Sequence, residues 1–233
     1  MTAQYGAHEV MELHEVLTGT IDGINQFELY RPYITDQSLS LIIDKQINFL
    51  TQEYNNMVNA FTQKGMTQIR PYDAPINSQP IYGLDNPKAQ SPNSPQQRLD
   101  NKDIASGMLG YHKSSAILKS MASLECADLT LRRMVQQGSI NCSEMAYEVW
   151  QYMNQNGYYQ VPTMKQMTTE TMMRTYTPMS TMPNISNVEN IGNQENAYSN
   201  HLNTMTGGMD YTGSLNGMDG PNISNITPVG SYQ

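Results

Sequence analysis

The feature that most constrains the fold is the long stretch between Leu99 and Pro162, which contains no proline. The segments on both sides of it are rich in proline, a residue tolerated at helix starts but not in helix interiors. The simplest structure for the stretch is a pair of long helices joined by a tight turn. We therefore interpret the rest of the chain relative to this pair.

The turn between the two helices has two candidate positions. Gly138-Ser139 contains a helix breaker but would give helices of very unequal length. Ala127-Asp128 gives nearly equal helices, and the Asp128 carboxylate can accept the backbone N–H bonds that a first helical turn leaves unpaired. We favour this turn, with helices at 101–126 and 129–156, although it leaves Gly138 inside a helix at a cost of about 1 kcal/mol relative to Ala.

Two more helices are predicted before the stretch, at 7–31 and 36–64. Apolar residues recur in both at the spacing of one helix face. Lys64 and Gly65 supply a basic last turn and a C-cap for the second helix. The connection is short, so these helices should be antiparallel. The predicted inward residues are Val10, Leu13, Leu17, Ile21, Ile24 and Tyr30, then Leu39, Ile43, Ile47, Leu50, Tyr54, Met57 and Phe61.

Residues 65–98 have a different character, with repeated prolines among Asn, Gln and Ser. Such a composition prohibits a helix and fits an extended crossover. A four-helix bundle with one long crossover, as in ferritin-like folds, needs such a link. The sequence therefore predicts an all-α, ferritin-like four-helix bundle over residues 1–162. Its inward residues in the second pair are Ile104, Met108, Tyr111, Ser115, Leu118 and Ala122, then Leu131, Val135, Cys142, Met145, Val149 and Tyr152.

Residues 163–233 lose this periodicity and combine Met, Thr, Asn, Gly and Tyr with few charges. This composition cannot bury enough apolar surface to offset chain entropy. We expect a low-complexity, largely disordered C-terminal tail, with one helical turn near Lys165–Arg174. The tail should be dispensable for folding and should serve assembly through its tyrosines and methionines.

Composition and charge exclude several classes of protein. A net charge of −8 argues against binding to nucleic acid or an anionic membrane, because no basic surface would neutralise phosphates. No apolar run approaches the roughly 20 residues that a membrane helix needs. The first ten residues lack the pattern of a secretory signal, so we expect a soluble protein kept where it is made.

Two cysteines, Cys126 and Cys142, are the only candidates for a disulfide. With the turn at Asp128, they lie on the order of 20 Å apart along the hairpin at about 1.5 Å of rise per residue. A disulfide needs Cα atoms within about 7 Å. We therefore predict that both thiols are free within the monomer.

A ferritin-like fold raises the possibility of a di-metal centre, which needs Glu-x-x-His pairs pointing inward. None occurs: Glu53, Glu144 and Glu148 are followed three residues later by Asn, Tyr and Gln. The densest alternative cluster comprises His8, Glu9, Glu12 and His14, which fits a solvated helix start better than a metal site. His112 is expected to be a hydrogen-bonded core residue. We assign no catalytic, cofactor-binding or metal-binding residue and no cofactor.

Several short motifs lie in the central stretch: Asp103-Ile104-Ala105, Leu131-Arg132, and Met153 followed by Gly157-Tyr158-Tyr159. In combination, rather than through one specific signature, they resemble the coat F domain of bacterial endospore coat proteins. The similarity extends over residues 7–162, and the family often has Asn-Pro where this chain has Asp128-Leu129.

The resemblance implies a ferritin-like bundle in a protein of the spore coat, and it brings no assigned reaction. We therefore expect a structural component that is not an enzyme, with other spore coat proteins as partners and a homo-oligomer as a possibility. The alternative is a ferritin-like, metal-dependent redox enzyme related to manganese catalase. The missing Glu-x-x-His pairs disfavour that alternative.

Overall fold

The computed structural model describes residues 5–62, 69–76, 79–87, 89–94 and 97–179. Its regular elements are four long helices, α1 (Ala7–Tyr30), α2 (Gln37–Phe61), α3 (Asn101–Glu125) and α4 (Leu129–Gln155), and a shorter helix, α5 (Gln166–Arg174). A single 3₁₀ turn, Arg31–Tyr33, follows α1. Within these ranges the only β-type pairings are two isolated bridges, which join Tyr82 and Gly83 to Val161. The predicted all-α fold class is confirmed.

The direction of the helices follows from contacts at the two ends of the bundle. Thr35, after α1, donates its N–H to the Asn101 side chain at the start of α3 at 3.0 Å. At the other end, the Asp128 N–H before α4 donates to Glu9 of α1 at 2.6 Å. Helix α3 is therefore antiparallel to α1 and parallel to α2. This connectivity needs one long crossover between α2 and α3.

Aspartates begin three of the long helices. Asp36, Asp100 and Asp128 are the N-caps of α2, α3 and α4, and each side chain accepts a backbone N–H three residues later at 2.9 Å. These bonds satisfy donors that the first turn cannot pair. The turn thus lies at Asp128, the position that the sequence favoured, and Gly138 is buried inside α4.

The hydrophobic core forms two clusters along the bundle axis. One lies around Phe27, Ile43 and Met108, and the other around Leu13 and Met57. Every inward residue predicted for the fourth helix is buried: Leu131, Val135, Cys142, Met145, Val149 and Tyr152.

The face predicted for the first helix was wrong only in part, because Leu13 is buried and Leu17, Ile24 and Tyr30 pack against the core clusters. Val10 and Ile21, both expected inside, are exposed. The buried residues of α1 are Glu9, Leu13, Val16, Thr20, Gly23 and Phe27. Half of these residues are polar or small. Glu9 accepts the Asp128 N–H, and Gly23 leaves room for the Tyr111 ring. The apolar pattern therefore identifies a face that overlaps the buried one but misses its polar and small positions.

The described parts of the crossover pack on the bundle, with Ile69, Tyr72 and Ala74 buried. Their backbone groups are paired largely by amide side chains of α4. Asn154 accepts from the Ile81 N–H at 2.7 Å and donates to the Ile81 carbonyl at 3.0 Å. Gln151 donates to the Pro75 carbonyl at 3.0 Å. A segment without regular structure thereby satisfies backbone groups that would otherwise be unpaired.

The chain divides into two compact units after Thr169. Helix α5 spans this boundary and has nine residues rather than the single turn predicted, none of them buried. In the second unit, Arg174 and Glu170 form an exposed ion pair at 3.8 Å. The predicted C-cap at Lys64 and Gly65 and the tail from residue 180 onward lie outside the described residues.

None of the described helices is long and apolar enough to cross a membrane.

Candidate functional site

Six polar residues are buried at the centre of the bundle, and they come in pairs spaced seven residues apart. The pairs are Gln46 and Glu53 on α2, His112 and Lys119 on α3, and Asn141 and Glu148 on α4. Seven residues are about two helical turns, so both members of a pair lie on the same face about 10 Å apart. The six side chains therefore form two layers, which we name the Glu53 layer and the Glu148 layer.

The Glu53 layer contains Glu53, Lys119 and Asn141. The Lys119 Nζ donates to Glu53 Oε1, and the Asn141 Nδ2 donates to Glu53 Oε2 at 2.8 Å. Asn141 also links the layer to the crossover, because its Nδ2 donates to the Arg70 carbonyl at 3.0 Å and its Oδ1 accepts the Tyr72 N–H at 2.8 Å. Charged groups at this depth are tolerated only when they are paired and hydrogen-bonded.

The Glu148 layer contains Gln46, His112 and Glu148. Gln46 connects the other two, with its Oε1 2.8 Å from His112 Nε2 and its Nε2 donating to Glu148 Oε2 at 3.0 Å. Glu148 also accepts from the Tyr72 hydroxyl and from Lys45 Nζ, the latter at 3.0 Å. Because half-exposed Lys45 reaches this carboxylate, the Glu148 layer extends to the surface.

Burial and charge set the protonation states of the network. Burial, reinforced by the nearby Lys119 ammonium, lowers the pKa of His112 to about 3. The ring is therefore neutral near pH 7, and its Nε2–H donates to Gln46. Burial by itself lowers the pKa of Lys119, but Cys142, Glu53 and Tyr111 together raise it above its ordinary value. Burial also raises the pKa of Tyr72, and the hydrogen bond from the Tyr72 hydroxyl to Glu148 raises it further.

The centre of the bundle does not fit a di-metal ligand set. Among the residues that the structure describes, no three His, Cys, Asp or Glu side chains are grouped to hold a metal ion. Glu53 is bonded to the Lys119 ammonium, whose positive charge opposes a cation at the same carboxylate. His112, expected as a hydrogen-bonded core residue, is confirmed in that position.

The cluster near the start of α1 separates into residues with different surroundings. Glu9 is buried and accepts the backbone N–H groups of Gly6 and Asp128, both at 2.6 Å, and the Asp128 bond is the main reason that the pKa of Glu9 is lowered. His8 and His14 are exposed, and His8 Nδ1 lies 3.8 Å from Glu125. Glu9 thus fastens the start of α1 to the α3–α4 turn.

Both cysteines are buried and unpaired, so the prediction of free thiols is confirmed. Cys126 lies at the end of α3, where burial raises the pKa of its thiol to about 11. Cys142 lies in the core cluster beside Lys119, and burial raises the pKa of its thiol as well.

The outer surface of the α3–α4 hairpin carries exposed apolar side chains. The Ser139 hydroxyl donates to the Ala116 carbonyl at 2.8 Å, which fixes the register of the two helices. At the same level of the hairpin, Ile117 on α3 and Ile140 on α4 both face outward. We define the α3–α4 apolar face by Ile117, Met121, Leu124, Leu129, Ile140 and Tyr147. Its α3 members, Ile117, Met121 and Leu124, are spaced four and three residues apart, so the sequence contains a second apolar face on α3 besides the inward one.

The motif Gly157-Tyr158-Tyr159 ends α4 and anchors the chain beyond it. Gly157 has a φ of 69°, a left-handed conformation that favours glycine after a helix. Tyr159 packs edge-on against Trp150 with ring centroids 6.3 Å apart, and the Lys113 ammonium lies 5.3 Å from the Tyr159 ring centre.

The chain is similar to known proteins at three levels. A family model described as the Coat F domain matches residues 100–162. The spore coat protein F-like protein YhcQ of Bacillus subtilis (strain 168) is 33% identical over 171 residues, which is 71% of this chain and 77% of that protein. The crystal structure of a candidate spore coat protein from Bacillus halodurans C-125 superposes with a TM-score of 0.52 at 14% identity.

The superposition covers 70% of this chain and 97% of the Bacillus halodurans protein, and at that identity it concerns the fold alone. The match to the Bacillus subtilis protein covers more than two thirds of both chains at an identity that establishes common ancestry. The family model matches the α3–α4 hairpin and the residues just after it, where the sequence motifs lie. The chain therefore belongs to the coat F domain family of spore coat proteins.

Proposed function

We propose that this protein is a structural component of the bacterial spore coat that acts by packing against other coat proteins rather than by catalysis. Membership of the coat F domain family supports the location and the class of partner. The buried polar residues of the Glu53 and Glu148 layers are hydrogen-bonded to one another, as expected of a scaffold.

The α3–α4 apolar face is the observation that carries the proposal. Ile117, Met121 and Leu124 are each more than 60% exposed and form one stripe along α3. Contiguous exposed apolar surface on a folded domain marks a site of protein–protein interaction. All six residues of the face lie within the part of the chain that matches the family model.

A paired substitution tests whether this face mediates assembly. Ile117→Ser combined with Met121→Ser makes the stripe polar without touching the core, so the free energy of unfolding should change little. We expect this variant to be produced in a sporulating Bacillus at normal levels but to be lost from purified spores. The Leu41→Ser control alters a leucine of α2 that is 64% exposed, as is Ile117, but lies outside the matched residues.

Incorporation of the paired variant at the wild-type level would contradict the role of this face. The alternative reading as a metal-dependent redox enzyme is tested separately by metal analysis of the purified full-length protein. One or more tightly bound Fe or Mn ions per chain would overturn the structural role.

A further inference from the structure

The Glu53 layer brings a primary amine, a primary amide and a carboxyl group together in the interior of the bundle. We propose that Lys119 and Asn141 form an intramolecular isopeptide bond, with Glu53 carrying the protons. The mature chain would then hold α3 and α4 together by a covalent link halfway along the bundle. This modification is independent of the proposed role in the spore coat.

Glu53 places the two reacting groups on either side of one carboxylate. Its Oε1 accepts from the Lys119 Nζ, and its Oε2 accepts from the Asn141 Nδ2 at 2.8 Å. The amine that would attack and the amide nitrogen that would leave therefore both contact the same carboxylate. Holding reactants in this way removes much of the entropic cost of bringing them together.

The carbonyl of Asn141 is held by two hydrogen-bond donors. Its Oδ1 accepts the Tyr72 backbone N–H at 2.8 Å and the Gln137 Nε2 at 3.0 Å. Two such donors polarise the carbonyl and stabilise the negative charge that develops on its oxygen during nucleophilic attack.

Water is excluded from the reacting groups. Lys119, Glu53 and Asn141 are 1%, 2% and 0% exposed. Lys119 rests as an ammonium bonded to Glu53, so the reaction requires its proton to pass along that hydrogen bond, which leaves two neutral groups in a site without water. A neutral lysine amine is a nucleophile, whereas the ammonium is not.

The reaction balances without any added reagent. Lys119 first passes a proton to Glu53, and its nitrogen then attacks the Asn141 Cγ to form the new C–N bond. Glu53 gives its proton to Nδ2 and takes one from the attacking nitrogen, so that the Cγ–Nδ2 bond breaks and ammonia leaves. Of the three protons of the Lys119 ammonium, one leaves with ammonia, one stays on the new amide nitrogen and one remains on Glu53, and no atom is oxidised or reduced.

The glycine at 138 is explained by the same geometry. A Cβ atom there would lie 3.1 Å from the Lys119 Cδ and 3.2 Å from the Glu53 Oε1. A side chain at this position would crowd both the Lys119 stem and the Glu53 carboxylate. A buried glycine in the middle of a helix otherwise costs about 1 kcal/mol relative to alanine.

The Glu148 layer offers a matched contrast within the same protein. Lys45 and the Gln46 amide also bond to the two oxygens of one carboxylate, that of Glu148. The side chain of Lys45 is 43% exposed, however, so its ammonium remains hydrated. We expect no isopeptide bond between the side chains of these two residues.

Mass spectrometry of the full-length protein tests the proposal. The wild-type chain should be lighter than its sequence by about 17 Da, the mass of the ammonia released when the lysine amine displaces the amide nitrogen. Digestion should yield a branched peptide joining Lys119 to Asn141, and trypsin should not cleave after Lys119. Glu53→Gln and Lys119→Met should have their full sequence mass, whereas the Lys45→Met control should keep the loss.

A wild-type chain of full mass whose Lys119 and Asn141 occur in separate peptides would overturn the proposal. A loss of ammonia that persists in Lys119→Met would also overturn it, because that loss would come from cyclisation of an asparagine or glutamine elsewhere. The peptide map of the wild-type chain decides the question even where a variant fails to fold.

Discussion

The ring of Tyr111 on α3 lies against the backbone of Gly23 on α1, in the space that a Cβ atom at Gly23 would occupy. The same ring packs edge-on against Phe27, with centroids 5.3 Å apart. Helices α1 and α3 thus approach each other at a position where one of them has no side chain. Position 23 therefore requires glycine, because any side chain there would clash with the Tyr111 ring.

Gly23→Ala should destabilise the protein by about 1–3 kcal/mol, because the added methyl group overpacks a filled contact. Gly110→Ala is the matched control, since a Cβ atom there meets no other atom within 4 Å. Replacing a glycine in an exposed helix interior by alanine should instead raise stability by about 0.5–1 kcal/mol. Urea unfolding followed by circular dichroism measures both changes, and equal effects of the two substitutions would contradict the packing argument.

The free energy of unfolding should fall as the pH falls from about 6.5 towards 3, because of His112. The pKa of its buried ring is about 3 in the folded protein, whereas an unfolded histidine titrates near 6.5. In this window the unfolded chain binds a proton that the folded chain does not bind. Each pH unit below about 6.5 then lowers the free energy of unfolding by about 1.4 kcal/mol. The free energy of unfolding at pH 5 should therefore be about 2 kcal/mol lower than at pH 7.

His112→Gln should flatten this pH dependence between pH 7 and pH 5, whatever its effect on absolute stability. His14→Gln, at an exposed position on α1, should leave the dependence unchanged. Denaturant unfolding at the two pH values gives the slope directly. If the pH dependence of the free energy of unfolding persists in His112→Gln, it comes from another titrating group.

The sequence predicted the fold class and the turn at Asp128 because those features depend on local signals. Proline positions, aspartate caps and the apolar stripe of α4 need no knowledge of neighbouring helices. The buried face of α1 could not be found completely in this way, because Glu9 and Gly23 are inside on account of the groups that meet them. The Asp128 N–H and the Tyr111 ring come from distant parts of the chain.

The central polar network was missed for a related reason. A Glu-x-x-His pair lies within one helix, whereas the hydrogen bonds of Glu53 and Glu148 reach other helices. The useful signal was the seven-residue spacing of polar pairs on three helices, which becomes meaningful only when the helices face one another. The partner of Glu53 is Lys119, a residue type expected at the surface unless it is paired.

Asn154→Ala should release part of the crossover from α4. The Asn154 amide bonds both backbone groups of Ile81 and also donates to the Tyr159 carbonyl at 3.0 Å. Leaving such partly buried groups unpaired costs about 1–3 kcal/mol. Hydrogen exchange at the Ile81 amide should accelerate, while exchange in the middle of α4 should not.

The control for this change is Asn156→Ala. Asn156 has the same side chain but donates to the Tyr152 carbonyl of its own helix at 2.8 Å. It should leave the exchange of Ile81 unaltered. Equal acceleration in both variants would mean that the crossover is not held by Asn154.

Removal of residues 163–233 should leave the four-helix bundle folded. Helix α5 buries none of its residues, and the hydrophobic clusters of the bundle are formed by residues that precede Pro162. A chain ending at Pro162 should therefore melt cooperatively within a few degrees of the full-length protein, as followed by circular dichroism.

Met172, Met173 and Tyr176 are exposed and suited to adaptable contacts with other proteins. The shortened chain should accordingly be depleted from purified spores. A large drop in Tm would assign part of the core to the tail, and normal incorporation would leave assembly to the surface of the bundle.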